Sequence, residues 1–157
     1  MYKRQVYNVS TATALQNALK NAVAGDEIIV AAGTYTGVKG SSTSGYSNAY
    51  FFSSKNGTAT SKIIVRSADP ANPAILQGNS TSSGYVFYLT GDHWEVRDLK
   101  FRTGSKGIML DNANRNLLYK VEVSNIGEEG IHFRDGSSYN TVDQGNVHDV
   151  GCLLLHI

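Results

Sequence analysis

Apolar positions along this chain follow two periods. Between residues 12 and 24, Leu15, Ala18, Leu19, Ala22 and Val23 fall on one helix face, with Gln16, Asn17, Lys20 and Asn21 opposite. Ser10 or Thr11 can cap the start and Gly25 fits the stop, so a short amphipathic helix with one side to bury is predicted. Everything after Asp26 reads as short strand-like runs parted by Gly, Asn, Ser or Asp. Residues 39–48 and 55–61 read as polar surface loops.

A repeat organises these runs. Gly84-Tyr85-Val86-Phe87-Tyr88, Gly107-Ile108-Met109-Leu110-Asp111 and Gly130-Ile131-His132-Phe133-Arg134 begin 23 residues apart. Gly104, Gly127 and Gly151 form a second series, with steps of 23 and 24. Asn116 and Asn140 stand 24 apart, which puts one extra residue in the turn Asp135-Gly136-Ser137-Ser138. One such unit cannot bury its apolar face alone, but units stacked about 4.8 Å apart share a continuous core. The chain is therefore expected to be all-β: a right-handed parallel β-helix of about 23 residues per coil. The predicted layout is one domain over residues 1–157, with a cap helix at 10–25, coils at 26–151 and an atypical end at 152–157.

Strand alternation then assigns an inside and an outside. Tyr85, Ile108 and Ile131 are expected to stack inward, as are Phe87, Leu110 and Phe133. Val86, Met109 and His132 are expected outward, followed by Tyr88, Asp111 and Arg134. In the second strand, Leu99, Val121 and Gly145 should stack inward, with Phe101, Val123 and Val147. Lys100, Glu122 and Asn146 should face out, and so should Asp98, Lys120 and Gln144. Asn116 and Asn140 read as a buried ladder bonding successive backbones. Phe87, Trp94 and Phe101 are expected in the core, and Tyr46, Tyr50 and Tyr88 outside.

Composition agrees with strands and turns. Charged residues make up 17% of the chain, below the usual share of about 25%, and sixteen Gly with abundant Ser, Thr and Asn take their place. A net charge of +1 gives no reason to expect a nucleic-acid partner, and no run of 18 apolar residues predicts a membrane span. Cys152 is the single cysteine, which excludes an intrachain disulfide. The first residues lack the apolar region of a signal peptide, while glycosylation sequons at Asn8, Asn56 and Asn79 point toward a secreted protein.

Ala14-Leu15-Gln16-Asn17-Ala18-Leu19, Ala24-Gly25-Asp26-Glu27-Ile28 and Ala32-Gly33-Thr34-Tyr35 resemble the N-terminal cap and first coil of secreted right-handed β-helix proteins, the superfamily of pectate lyases, alginate lyases and chondroitinase B. The run from Glu128 to Ser138, with Asn140-Thr141 and His148-Asp149-Val150-Gly151, is similar to lyase-like β-helix proteins. This resemblance implies an extracellular, carbohydrate-active protein that binds or cleaves an acidic polysaccharide by β-elimination, with Ca²⁺ as its cofactor. Family members usually continue for several more coils, so the chain reads as a short form or a fragment. Its last coil should present an edge open to another copy, unless Leu153 to Leu155 and Ile157 cover it.

A lyase of this kind must remove the proton α to a carboxylate and neutralise that carboxylate, commonly with Ca²⁺ or Arg. The resemblance points to Lys120 or Arg134 as base or neutralising group, with His132 a further catalytic candidate on the same ladder. Lys100, Tyr88 and Arg102 are the candidates for substrate binding, and Glu122 and Asp111 for metal. The second Glu of the Glu-x-Glu calcium pair in the chondroitinase and alginate lyase pattern is missing at Lys120-Val121-Glu122, and Glu128-Glu129 is expected in a turn. A bland reading competes: Asp98 over Lys120, Lys100 over Glu122 and Asp111 over Arg134 would be ordinary ion pairs between coils. His148 and His156 show no ligand spacing, so zinc is not expected. The rival class is a non-catalytic glycan-binding or structural β-helix, or a truncated inactive form. Ice binding is set aside because no Thr-x-Thr recurs after Gly84.

Overall fold

β1 (Val6–Val9) leads into α1 (Ala12–Asn21), the one helix among the residues described by this computed structural model, 2–152 and 154–157. Thr11 is the N-cap, its hydroxyl accepting from the Ala14 N–H at 3.1 Å. Leu15, Ala18, Leu19 and Ala22 are buried, so the apolar stripe closes the first coil as predicted. Two positions differ from expectation. The helix stops at Asn21, which leaves Val23 exposed. Gln16, expected on the polar face, is buried because its amide exchanges two 2.9 Å hydrogen bonds with the Phe52 backbone.

The coils follow in order. The first holds β2 (Glu27–Val30), β3 (Thr34–Thr36) and β4 (Ala49–Ser53), and the second β5 (Ile63–Ser67), β6 (Ile75–Gln77) and β7 (Tyr85–Leu89). The third holds β8 (Trp94–Arg97), β9 (Lys100–Gly104) and β10 (Lys106–Asp111). The fourth holds β11 (Leu117–Tyr119), β12 (Glu122–Ile126) and β13 (Ile131–Arg134), before β14 (Thr141–Asp143), β15 (Asn146–Val147) and β16 (Leu155–His156). Strands of successive coils pair in parallel and give three sheets around one core. Sheet 1 is β1-β2-β5-β8-β11-β14, sheet 2 is β3-β6-β9-β12-β15 and sheet 3 is β4-β7-β10-β13-β16.

The predicted register holds between the third and fourth coils, where Ile108 pairs Ile131, Met109 pairs His132, Leu110 pairs Phe133 and Asp111 pairs Arg134. A Cβ on Gly107 would overlap the Gly130 carbonyl oxygen, so this column admits only glycine. Sheet 2 also keeps its predicted partners, Lys100 with Glu122 with Asn146 and Phe101 with Val123 with Val147.

One coil earlier the register departs from prediction. Lys106 pairs Tyr85, Ile108 pairs Phe87 and Met109 pairs Tyr88, a step of 21 residues. Gly84 is not in the glycine column. It sits in a turn at φ +86° against the Tyr50 ring, a backbone that favours glycine for a different reason. This two-residue slip keeps the facing of Phe87, but alternation breaks at the start of β7: Val86, expected outside, joins Phe87 in the core, and Tyr85, expected inside, packs outside. Tyr50, also expected outside, is buried, its hydroxyl donating to Asn79 Oδ1 at 2.7 Å.

Most corners of the later coils are made without glycine. Asp98, Lys120 and Gln144, expected to face outward on strands, occupy left-handed corners with φ of 55°, 50° and 54°. Three further columns do the same: His93, Arg115 and Tyr139; Thr103, Asn125 and Asp149; and Asn112 with Asp135. The step is 23 from Asn112 to Asp135 but 24 from Arg115 to Tyr139, so the extra residue lies in the predicted turn. The asparagine ladder is present. Asn116 Oδ1 accepts from the Trp94 N–H at 2.7 Å, and Asn140 Oδ1 accepts from the Asn116 N–H at 2.9 Å. β16 adds a strand to sheet 3, with Leu154, Leu155 and Ile157 exposed, while Leu153 lies outside the described residues.

Candidate functional site

The outer face of sheet 3 collects the most chemistry. Tyr46 reaches over from the 39–48 loop and clusters with Phe52, Tyr85 and Tyr88, its ring centroid 4.6 Å from that of Tyr88. These rings cover Ala49 and Met109, which explains why Met109 points outward yet has no exposed surface. Below them, Asp111 Oδ2 accepts from the Tyr88 hydroxyl at 2.6 Å and from Arg134 Nε and Nη2 at 3.0 and 2.7 Å. Burial opposes ionisation of Asp111, but the bonds from Tyr88 and Arg134 outweigh it and hold the carboxyl below its ordinary range. Burial and the Asp111 bond raise the Tyr88 hydroxyl pKa, and the Asp111 bond keeps Arg134 firmly charged.

A second group lies alongside. Lys106, at the start of β10, contacts Glu129 and stands 3.3 Å from Glu128. Glu129 sits in the turn before β13, with Oε2 2.6 Å from His132 Nδ1 and Oε1 3.1 Å from His156 Nδ1. The two imidazoles stack with centroids 4.2 Å apart, since His132 and His156 pair in register. Burial works against the Glu129 charge, but Lys106 and both imidazoles prevail and pull its pKa from 4.5 down to about 2. Burial lowers the His132 pKa, so the ring is neutral near pH 7. Burial would lower the Lys106 pKa too, yet Glu129 and Glu128 overcome it and raise the value.

The predicted residues thus divide among three places. Tyr88, Asp111, His132 and Arg134 come together on sheet 3. Lys100, Arg102 and Glu122 share the outer face of sheet 2, where Lys100 meets Glu122 at 3.0 Å and Arg102 Nε donates to Gln77 Oε1 at 2.9 Å. Lys120 stands alone at the corner between sheets 1 and 2, its Nζ 5.2 Å from the Tyr119 ring. Two of the three expected ion pairs exist. The third, Asp98 over Lys120, does not form because both residues turn at corners, and Asp98 faces Arg97 at 3.7 Å instead.

Glu129, Lys106 and His156 went unrecognised in the sequence. A signal was there: Lys106 and Glu129 each precede a glycine of the Gly107–Gly130 column, which stacks them. His156 stands 24 residues after His132, one long coil on. The expectation that His156 lacks ligand partners is therefore overturned, since the next coil brings it to Glu129 and His132. Glu122 and Asp111 do not fit a shared calcium site. They stand on different sheets, and each carboxylate already faces a cation, whereas Ca²⁺ requires roughly six to eight converging oxygens.

Residues 5–150 match the model of the Pel9A-like, right-handed β-helix region. The chain belongs to the Pel9A-like β-helix family. This Pel9A-like chain is similar to the alginate lyase from Paenibacillus sp. str. FPU-7, with 44% identity over 90% of this chain and 44% of that one, at a TM-score of 0.80. Pectate lyase Pel9A shares the fold, with 19% identity, TM-score 0.75, and coverage of 95% of this chain and 41% of that one. The PL6 alginate lyase AlyGC shares it more distantly, as an R-to-A mutant chain with 18% identity, TM-score 0.58, and coverage of 91% and 19%. The Pel9A-like chain thus spans less than half the length of each of these enzymes. No curated protein matches it.

Proposed function

We propose that this protein works as a polysaccharide lyase on an acidic polysaccharide outside the cell, with the polymer lying along the outer face of sheet 3. The observation that carries this reading is the 44% identity, over 90% of the chain, to an alginate lyase. The geometry of the face supports it. Tyr46, Phe52 and Tyr85, partly exposed over the buried Tyr88, offer a surface for sugar rings, and Arg134 and Lys106 supply cations to uronate carboxylates. Lys100 and Arg102, on the neighbouring sheet, extend the cationic surface around the corner.

In the β-elimination, a base takes the proton α to the uronate carboxylate. The electron pair forms a carbon–carbon double bond and expels the glycosidic oxygen, which takes its proton from solvent water. Arg134 neutralises the carboxylate, which stabilises the enolate-like intermediate. His132, neutral near pH 7, accepts the proton. Lys106 stays protonated between Glu128 and Glu129 and holds charge rather than moving it. Lys120, exposed at the corner between sheets 1 and 2, is less suited to be the base because it stands apart from Arg134 on sheet 3.

Incubation with alginate, pectate and glucuronan, followed by ultraviolet absorbance of unsaturated uronate, tests this reading. Product from at least one polymer is expected, falling at least about a hundredfold in Arg134→Ala. No product from any of them, with retained polymer binding, would replace the lyase reading with that of a glycan-binding β-helix.

A further inference from the structure

Glu129, His132 and His156 each offer one ligand-type atom, and those atoms all lie within 4.8 Å of one another. We infer that these three side chains form a site for one zinc-type divalent transition-metal ion, held by a Glu129 carboxylate oxygen and the Nδ1 atoms of His132 and His156. The inference does not rest on the lyase reading.

The site is built by the winding of the chain. Glu129 comes from a turn, His132 from β13 and His156 from β16, the strand paired with β13 one coil later. An independent observation points to a missing partner. His132 Nδ1 is buried and, although Glu129 Oε2 lies 2.6 Å away, makes no hydrogen bond. A metal ion would satisfy that nitrogen. The ligand set selects the ion class: imidazole and carboxylate together suit Zn²⁺, Co²⁺ or Ni²⁺, while Ca²⁺ and Mg²⁺ prefer all-oxygen shells. Three protein ligands leave the fourth position open to water or another group.

Lys106 is the competitor, since its ammonium contacts the same Glu129 oxygen as His132. Glu128, 3.3 Å from that ammonium, gives it somewhere to go when a metal arrives. Occupancy would also change the chemistry of the face. An imidazole bound through Nδ1 keeps its proton on Nε2, so His132 could not accept a proton while the metal is present.

The test is calorimetric titration of the EDTA-treated full chain with ZnCl₂ near neutral pH, with Co²⁺ absorption reporting the coordination shell. Saturation at one ion per chain is expected. Affinity should fall by about tenfold or more in Glu129→Gln and in His156→Gln, and stay unchanged in His148→Gln and Cys152→Ser. Thermal melting of the metal-free variants checks that they fold, and the exposed edge position of His156 makes its variant the safest. X-ray absorption of the zinc-loaded wild-type chain requires no variant and should show two imidazoles in the shell. No saturable binding, binding indifferent to His156→Gln, or a shell without imidazole would each overturn the site. Because polymer is absent throughout, failure here leaves the lyase reading untouched, and a protein without lyase activity can still bind the metal.

Discussion

The outer faces of sheets 2 and 3 are wound from the same coils, yet their charges behave differently. On sheet 2, Glu122 meets Lys100 at 3.0 Å and reaches His148 only at 3.9 Å, and all three side chains are about a third or more exposed. On sheet 3, one Asp111 oxygen takes three hydrogen bonds and Glu129 is shared by a lysine and two imidazoles. Aromatic cover from Tyr46, Phe52 and Tyr85 shields the Tyr88 end of that face from water. The lesson is that an exposed pair of opposite charges stacked between coils is only a solvated ladder. Shared carboxylates and partial burial shift protonation, and that is where reaction chemistry becomes available.

Four measurements can break or sharpen this contrast. The largest effect should come from Arg134→Ala, which leaves the half-buried Asp111 carboxylate without its cation. Urea unfolding should register a loss of about 2–3 kcal/mol. Next is the acid limb of the stability curve. The folded value for Glu129, about 2, lies below its ordinary 4.5, so the folded state binds fewer protons there. Its contribution is complete above about pH 4.5 and fades as pH falls toward about 2, and the depressed His132 adds to the loss below its ordinary 6.5. Glu129→Gln should flatten this slope in denaturation measured across pH. On sheet 2, Lys100→Ala should cost only about 0.2–1 kcal/mol, and an effect as large as that of Arg134→Ala would erase the distinction between the faces. The smallest change should be a gain. Lys120 holds a left-handed corner that asparagine tolerates better, so Lys120→Asn should raise the melting midpoint slightly, by about 0.5 kcal/mol of stability, and leave both faces intact.

Much of this architecture is written plainly in the chain. Gly107 and Gly130 announce their column because neighbouring backbone excludes any side chain, and Asn116 and Asn140 announce theirs because the buried corner needs an amide with both donor and acceptor. The same rule misled at Gly84, where glycine serves a turn against Tyr50 and the coil is two residues shorter. Asp111–Arg134 was legible because both lie on regular strands in a 23-residue step. The Glu129 cluster was harder to see. It joins a strand, a turn and a final run unlike any earlier coil, and period alone does not show that a turn carboxylate folds back over a strand. The corners were hidden for a simpler reason: Asp98, Lys120, Arg115 and Tyr139 carry side chains that give no hint of left-handed backbone.

Those corners give the protein a set of parallel edges, each graduated by one residue per coil. Parallel pairing fixes the graduation at about 4.8 Å, whatever side chain occupies the mark. Groups grafted at positions 98, 120 and 144 would therefore stand as regularly as teeth on a rack, and the corner columns make the solenoid a ready-made molecular ruler for arraying ligands along a line.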